Sequence, residues 1–207
     1  MKLIKTVVTA VLAAATLPAA AGSPYVLGAV GRASFDVGAG NFDTSLAGAG
    51  ATGIASSFDD TDTAYKLQLG YQFNPNFAIE GGWVDLGRGV YSGSYIGGTA
   101  GGRWKASGWN LAALGIMPLG PSFSLFAKAG TIDAKVERSL NASGPAAAAS
   151  GSVSSTDWKA NYGVGAMYSV NPKLGLRLEW ERFHDLGNGP AGQGNVDLWS
   201  VGVAYKF

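Results

Sequence analysis

Hydrophobic and polar residues alternate along eight segments of this 207-residue chain. In the clearest segment, Tyr65 to Phe73, large apolar residues occupy the odd positions, and Lys66 and Gln68 are among the even ones. Successive side chains of a β-strand point to opposite faces, so this period predicts a strand with one apolar and one polar face. The eight predicted strands span residues 25–35, 65–73, 77–85, 109–117, 123–130, 161–170, 174–181 and 199–207. The first is ambiguous in phase, and the fourth places Leu114 and Ile116 on its polar face.

The connections between these strands are of two kinds. Short turns with Pro and Asn or Ser lie at residues 74–76, 118–122 and 171–173. Long stretches rich in Gly, Ser and Ala lie at residues 38–60, 87–102, 139–155 and 187–195. Short turns at one end and long loops at the other are typical of a barrel that crosses an outer membrane. The strands also have roughly the 9 to 11 residues that such a crossing needs.

The first residues predict export. Lys2 and Lys5 precede an uncharged apolar stretch, Thr6 to Leu17, which Pro18 ends before the small residues of Ala19–Ala21. This order is typical of a secretory signal peptide, and the stretch is shorter than the roughly 20 residues of a spanning helix. We therefore expect a cleaved signal at residues 1–21 and one mature domain at residues 22–207. The mature part has no long apolar run, so it can span a membrane only as a closed sheet.

Aromatic residues cluster near the ends of the predicted strands. Close to the short turns lie Tyr71, Phe73, Phe77, Phe123, Tyr168, Tyr205 and Phe207. Toward the other end lie Trp83, Trp109, Trp180 and Trp199. Aromatic rings favour the headgroup level of a membrane, so the first set predicts an aromatic girdle at one interface and the second set a girdle at the other.

Charged residues make up only 14% of the chain, and several fall on the polar phase of the strands. The predicted inward-facing charges are Lys66, Glu80, Lys128, Arg177, Glu179 and Glu181. The interior of an eight-stranded barrel is just wide enough for side chains, and a charge buried there must be paired. These residues therefore predict an internal ion-pair network that helps to fix the strand register.

Composition argues against several other functions. The net charge is +1 and no basic run occurs, so a nucleic-acid partner is not expected. The chain has no Cys and a single His, His184, beside Asp185. Metal sites and acid–base catalysis usually draw on these residue types. We therefore predict no metal, no cofactor and no catalytic residues, and do not expect an enzyme.

Three runs of residues resemble one family of proteins. Residues 69–87, with Asn74-Pro75-Asn76 and then Gly81-Gly82-Trp83, resemble the second hairpin of OmpA-type outer-membrane barrels. Residues 163–180 are similar to the third hairpin of that family, and residues 201–207 to its last strand. The resemblance implies an all-β fold, an eight-stranded antiparallel up-and-down transmembrane β-barrel in the bacterial outer membrane.

The resemblance also implies roles for particular residues. A terminal aromatic such as Phe207 is the family's assembly signal for the outer-membrane barrel assembly machinery. Because the chain stops at Phe207, we expect a barrel-only member without a periplasmic peptidoglycan-binding domain. Glu80, Lys128 and Arg177 match a family salt-bridge network proposed to gate a narrow water path. Leu114 and Met167 stand where that network has a lysine and a second acid, which favours a structural ion-pair plug.

The sequence thus predicts an outer-membrane protein with a structural or adhesin-like role, acting through four surface loops. Tyr91 and Tyr95 are the candidate contacts in the second loop. Expected partners are outer-membrane lipid and lipopolysaccharide, and a host or surface ligand at the loops. Two alternatives remain: a narrow gated pore, and a soluble secreted ligand-binding barrel with its apolar faces turned inward.

Overall fold

A computed structural model describes residues 22–207 of the chain, and the predicted signal peptide lies outside these residues. Nine strands form one sheet. Their bounds are β1 Ser23–Asp36, β2 Ala55–Asp59, β3 Thr61–Asn74, β4 Phe77–Tyr95, β5 Gly98–Pro118, β6 Phe123–Ala142, β7 Gly151–Ser169, β8 Leu174–Leu186 and β9 Gly194–Lys206. One α-helix, α1 (Gly40–Gly48), and two 3-10 helices, Gly144–Ala149 and Gly189–Ala191, complete the described structure.

The sheet closes on itself. The strand order is β2-β4-β3-β1-β9-β8-β7-β6-β5, and pairing of β4 with β5 completes the ring. Every neighbouring pair is antiparallel. The short strand β2 precedes β3 in the chain, with Asp60 between them, and both pair with β4: β2 with its upper part and β3 with its lower part. The ring therefore has eight positions, and the predicted eight-stranded antiparallel barrel is confirmed.

Large apolar side chains cover the outside of the barrel wall. Tyr65 and Leu67 on β3, and Leu176 and Leu178 on β8, are each about half exposed, whereas the alternating Lys66 and Arg177 are buried. The phase predicted for these strands is thus present in the structure. A soluble barrel would need the reverse orientation, so that alternative is wrong.

Four strands are much longer than a membrane crossing requires. Strands β4 to β7 have 19 to 21 residues, while β1, β3, β8 and β9 have 13 or 14. A crossing takes about 9 to 11 residues, so β4–β7 rise above the membrane at the end opposite the short turns. We call their upper parts, residues 86–107 and 133–160, the outer wall. Residues 87–102 and much of 139–155, predicted as loops, are therefore mostly strand; β4 and β5 join through only Ile96 and Gly97.

The interior has three layers. The lower layer, nearest the short turns, is apolar and contains Tyr25, Leu27, Ala78, Leu114, Phe126 and Ala204. The middle layer is polar and is described below. The upper core is apolar again, is built around the buried Trp104, and includes Phe42 and Leu46 of α1. None of the helices within residues 22–207 has the length and apolar character of a membrane span.

Candidate functional site

The middle layer of the interior brings all six predicted inward-facing charges together. Lys66 comes from β3, Glu80 from β4 and Lys128 from β6. Arg177, Glu179 and Glu181 come from β8, at alternate positions that share one face. Each residue is at most 4% exposed. We call these six residues the charged layer; its three cations match its three carboxylates.

Glu179 lies at the centre of the charged layer. Its Oε2 is 2.5 Å from Lys66 Nζ, and its Oε1 is 3.0 Å from Lys128 Nζ and 3.1 Å from Arg177 Nη2. Glu181 contacts the same two lysines, at 2.9 Å from Lys66 and 2.8 Å from Lys128. Both carboxylates therefore connect β8 to β3 and β6, two strands that are not its neighbours in the ring.

The remaining acid, Glu80, pairs with Arg177 Nη1. Tyr25 Oη donates a second hydrogen bond to Glu80 Oε1 at 2.6 Å. Gly70 makes this contact feasible, because a Cβ at this position would overlap the Tyr25 ring. The Arg177 guanidinium also stacks on the Phe126 ring, 4.1 Å from its centroid, and so connects the charged layer to the lower apolar layer.

A chain of amides extends the layer. Gln68 Nε2 donates to Asn110 Oδ1 at 3.0 Å, and Asn110 Nδ2 donates to Asn161 Oδ1 at 2.9 Å. Asn161 Nδ2 then donates to Glu181 Oε1 at 2.7 Å. The predicted network did not include these amides. The alternation along each strand could have predicted them, because each amide lies an even number of residues from an inward-facing residue on its own strand.

Burial explains why every charge of the layer has a partner of opposite sign. Removing a charge from water costs several kcal/mol, and only close partners can offset that cost. Here each carboxylate contacts at least one cation, and the six formal charges sum to zero. Such a layer fixes which residues meet across the barrel, because a strand shifted by one residue would turn its charges toward lipid.

The layers above and below the charged layer are packed with side chains. Leu114, which stands where the family's network has a lysine, is fully buried in the lower layer, and Met167 is half-buried on β7. In the upper core, Trp104 is fully buried and donates from Nε1 to the carbonyl oxygen of Ala191 at 3.1 Å. Apolar layers on both sides thus enclose the charges.

The predicted aromatic residues lie at the ends of the barrel wall. Phe73 packs near Tyr71 and Phe77, with ring centroids 4.9 and 5.6 Å away, and Tyr205 packs edge-on to Phe207 at 5.6 Å. The aromatic residues predicted near the short turns lie on the outer surface. Tyr71 is partly buried, and the exposed ones are Phe73, Phe77, Phe123, Tyr168, Tyr205 and Phe207. Its role as a girdle, and that of Phe207 in assembly, stay predictions.

The second predicted set of aromatics lies toward the outer wall. Trp83 and Trp109 pack edge-on at 5.5 Å, and Tyr162 contacts Trp180 at 6.1 Å. Tyr91 and Tyr95, in contrast, are buried on the inner face of the outer wall. The expectation that these two tyrosines contact a partner is therefore wrong.

The only histidine lies on the surface. His184 Nδ1 is 3.0 Å from Asp185 Oδ2, and both side chains are about half exposed. Within residues 22–207, no group of three or more His, Cys, Asp or Glu side chains is placed to hold a metal ion.

The closed ring, its apolar outer surface and its buried charged layer define a β-barrel that crosses a membrane. A family model described as "Outer membrane protein beta-barrel domain" matches residues 6–207. The chain belongs to this family, and its location is the bacterial outer membrane. The resemblance to OmpA-type barrels is confirmed. No curated relative matches the chain.

Solved outer-membrane barrels share the fold. Neisserial surface protein A is 14% identical, with a TM-score of 0.54 over 90% of this chain and 99% of that protein. The outer membrane protein OprG from Pseudomonas aeruginosa is 18% identical, with a TM-score of 0.50 over 90% of this chain and 96% of that protein. The attachment invasion locus protein of Yersinia pestis is 13% identical, with a TM-score of 0.48 over 89% and 99% of the two chains. At these identities the similarity to the first two proteins concerns the fold alone.

Proposed function

We propose that this protein is a structural outer-membrane barrel with a closed interior, and that its outer wall makes contacts at the cell surface. The observation that carries the proposal is the continuous filling of the interior by two apolar layers and the charged layer between them. A barrel filled in this way has no room for a solute path. Its function then depends on the surfaces that it presents.

The outer wall is built as a rigid surface. Helix α1 packs against its inner face, where the Phe42 and Tyr91 rings stack with centroids 4.6 Å apart. Arg138 Nη2 donates to the carbonyl oxygen of Asn41 at 2.8 Å and to Ser45 Oγ at 2.9 Å. A strand surface that is supported by a helix on its inner face can bind a partner without a large loss of conformational entropy.

The closed interior is tested by electrical recording. Purified protein reconstituted in planar bilayers should give no channel conductance, and Glu80→Ala should not open one at physiological potentials, because the apolar layers remain. A steady conductance in wild type that changes in Glu80→Ala would establish the narrow gated pore instead.

The surface role is tested in cells that lack the protein. Complementation with wild type, and with a variant in which residues 90–101 are replaced by Asn-Gly, separates the barrel from the top of its wall. We expect both to restore resistance to a hydrophobic dye, and only wild type to restore adhesion to an epithelial monolayer. Equal adhesion by both would contradict the surface-contact role.

We propose no catalytic role. The exposed His184–Asp185 pair has no nucleophile or buried acid in contact with it among the described residues. His184→Ala should therefore leave both cellular readouts unchanged. A loss of either readout in a correctly folded His184→Ala protein would argue for chemistry at this position.

A further inference from the structure

Three cations gather on the outward face of the outer wall. The strand register places Arg88 of β4 opposite Lys105 of β5, and the next outward position on β5 is Arg103. All three side chains are exposed. On β6, Glu137 is the residue opposite Lys105.

These residues line a groove of about 460 Å³. The other side chains of the groove include Arg138, whose guanidinium holds α1, and the hydroxyls of Ser139, Ser152 and Ser154. We call this site the basic groove. The guanidinium of Arg138 itself lies on the inner side of the wall, against α1. The outward charges of the groove are therefore three cations and one acid, Glu137, so the groove carries a net positive charge at neutral pH.

The two outward arginines of the basic groove are not neutralised within the described chain. Lys105 Nζ lies 3.6 Å from Asp85, a weak exposed pair, and Glu137 lies 2.6 Å from Lys135. Arg88 and Arg103 have no carboxylate within 4.0 Å and no side-chain hydrogen bond among residues 22–207. Their guanidinium groups are therefore available to an anion, and guanidinium binds phosphate in a bidentate geometry.

The height of the basic groove restricts what the anion can be. Trp109 lies on the outward surface of β5. Lys105 and Arg103 precede it in the chain by four and six residues and lie nearer the tip of the wall. At roughly 3.3 Å per residue and a strand tilt of about 40°, they lie about 10 and 15 Å above Trp109. The headgroup region of a bilayer adds only about 5 to 8 Å on each side of the hydrocarbon. With Trp109 at the level of the predicted outer aromatic girdle, the groove lies above the phosphates of ordinary phospholipids.

We propose that the basic groove binds phosphate groups on the saccharide portion of lipopolysaccharide in the outer leaflet. This lipid carries phosphorylated sugars beyond the headgroup level, at the height where Arg88, Arg103 and Lys105 lie. The arginines contact phosphate, and the serine hydroxyls hydrogen-bond sugar. Glu137 lowers the affinity of the groove for any anion. This inference rests on the proposed function, because it names a lipid partner for the outer wall.

The test uses the full-length mature protein in nanodiscs of zwitterionic lipid. Binding of purified lipopolysaccharide is measured by calorimetry for wild type and for Arg88→Gln/Arg103→Gln. The matched control, Arg32→Gln/Lys173→Gln, removes two charges elsewhere on the protein. We expect the groove variant to bind at least about tenfold more weakly, the control to bind like wild type, and Glu137→Gln to bind more tightly. Heat-dependent migration in SDS gels verifies that each variant is folded.

Further arms identify the source of the phosphate. Wild-type protein should bind enzymatically dephosphorylated lipopolysaccharide as weakly as the groove variant binds untreated lipopolysaccharide. Nanodiscs containing phosphatidylglycerol should not compete for the wild-type protein. Unchanged binding by the groove variant would overturn the proposal. Equal competition by phosphatidylglycerol or by millimolar inorganic phosphate would also overturn it, in favour of a general anion site.

The outcome is separable from that of the proposed function. Conductance by the wild-type protein would contradict the closed barrel and leave the calorimetric result intact. If the groove variant loses epithelial adhesion but binds lipopolysaccharide normally, the groove contacts a host polyanion and the lipid assignment is wrong.

Discussion

The charged layer and the upper core fill the same barrel by opposite physical means. In the charged layer, Glu179 alone contacts three cations through directional ion pairs. In the upper core, Trp104 packs edge-on to Phe35 at 5.6 Å, and Phe42 stacks on Tyr91. Both regions are buried, but only the second gains stability from apolar burial.

Because of this difference, the charged layer and the upper core determine different features of the structure. The pair between Lys66 and Glu179 joins residues 113 positions apart, and it exists only in one register of the barrel. The upper core tolerates apolar replacements of similar volume more readily. It also depends on α1, which is not part of the ring. The charged layer therefore specifies the barrel, and the upper core holds the outer wall in place.

The largest expected effect comes from Glu179→Leu. Three buried cations would then share two carboxylates, and breaking such a network costs about 3–5 kcal/mol. The free energy of unfolding should fall by that amount, measured by tryptophan fluorescence during urea unfolding in detergent micelles. A loss below about 1 kcal/mol would mean that the layer relaxes around the missing carboxylate.

The control for Glu179→Leu is Glu137→Gln on the outer wall. Glu137 has an exposed partner, Lys135, and exposed ion pairs contribute about 0–1 kcal/mol. Its unfolding curve should match wild type. Equal destabilisation by both variants would show that burial does not govern the effect.

The second effect, Phe42→Ala, concerns the upper core. Removing a buried Phe side chain costs about 3–5 kcal/mol, and here the cost should be confined to the docking of α1. Hydrogen exchange over residues 40–48 should accelerate strongly, while the heat-dependent gel shift of the barrel is retained. Thr44→Ala, on the exposed face of the same helix, is the matched control. Loss of the gel shift in Phe42→Ala would show that the ring itself depends on α1.

A smaller effect is expected for Arg138→Met. This variant removes the two hydrogen bonds to α1 and the contact of the guanidinium with the Phe42 ring, 4.4 Å from its centroid. Arg138 is only partly buried, so water can replace part of these contacts, and exchange in α1 should accelerate less than in Phe42→Ala. If Arg138→Met exceeds Phe42→Ala, polar contacts and not apolar packing hold the helix.

The smallest effect is a pH dependence of α1. Burial, together with the hydrogen bond that Tyr91 Oη donates to Asp43 Oδ1 at 2.6 Å, raises the pKa of Tyr91 to about 12. The protonated hydroxyl is the bonded form, so its contribution is complete below pH 10 and is lost as the pH rises through 12. Exchange in α1 should increase over that window in wild type. Tyr91→Phe should not show this increase, and a shared response would assign it to another group.

The membrane-crossing half of the molecule was predictable from sequence. Lipid outside the wall requires apolar side chains, and the charged layer inside requires polar ones. The residue types of Leu67 and Lys66 therefore predict directly that the first points outward and the second inward. The phase also identified every member of the charged layer. It could not show that Lys66 meets Glu179, because that pairing depends on the stagger of distant strands around the ring.

The outer wall was not predicted, for a physical reason. Above the membrane, the outward face of a strand meets water, so Ser92 and Arg103 replace the apolar residues that mark a crossing. Together with many glycines, they suggested loops. The inward positions Tyr91 and Trp104 kept the period of a strand, but this signal is weak when only one face is constrained. Helix α1 was missed because Phe42 and Leu46 are its only large apolar residues.

The seam between β1 and β9 has a kinetic consequence. It pairs Tyr25 with Lys206, residues from opposite ends of the described chain. Such distant contacts form slowly, since a long loop must be closed before they give any stability. Until then both seam strands have open edges that can pair with other chains, and Lys66 is separated from Glu179. Ring closure and charge neutralisation thus coincide, so we expect the barrel to appear in one late cooperative step and not strand by strand.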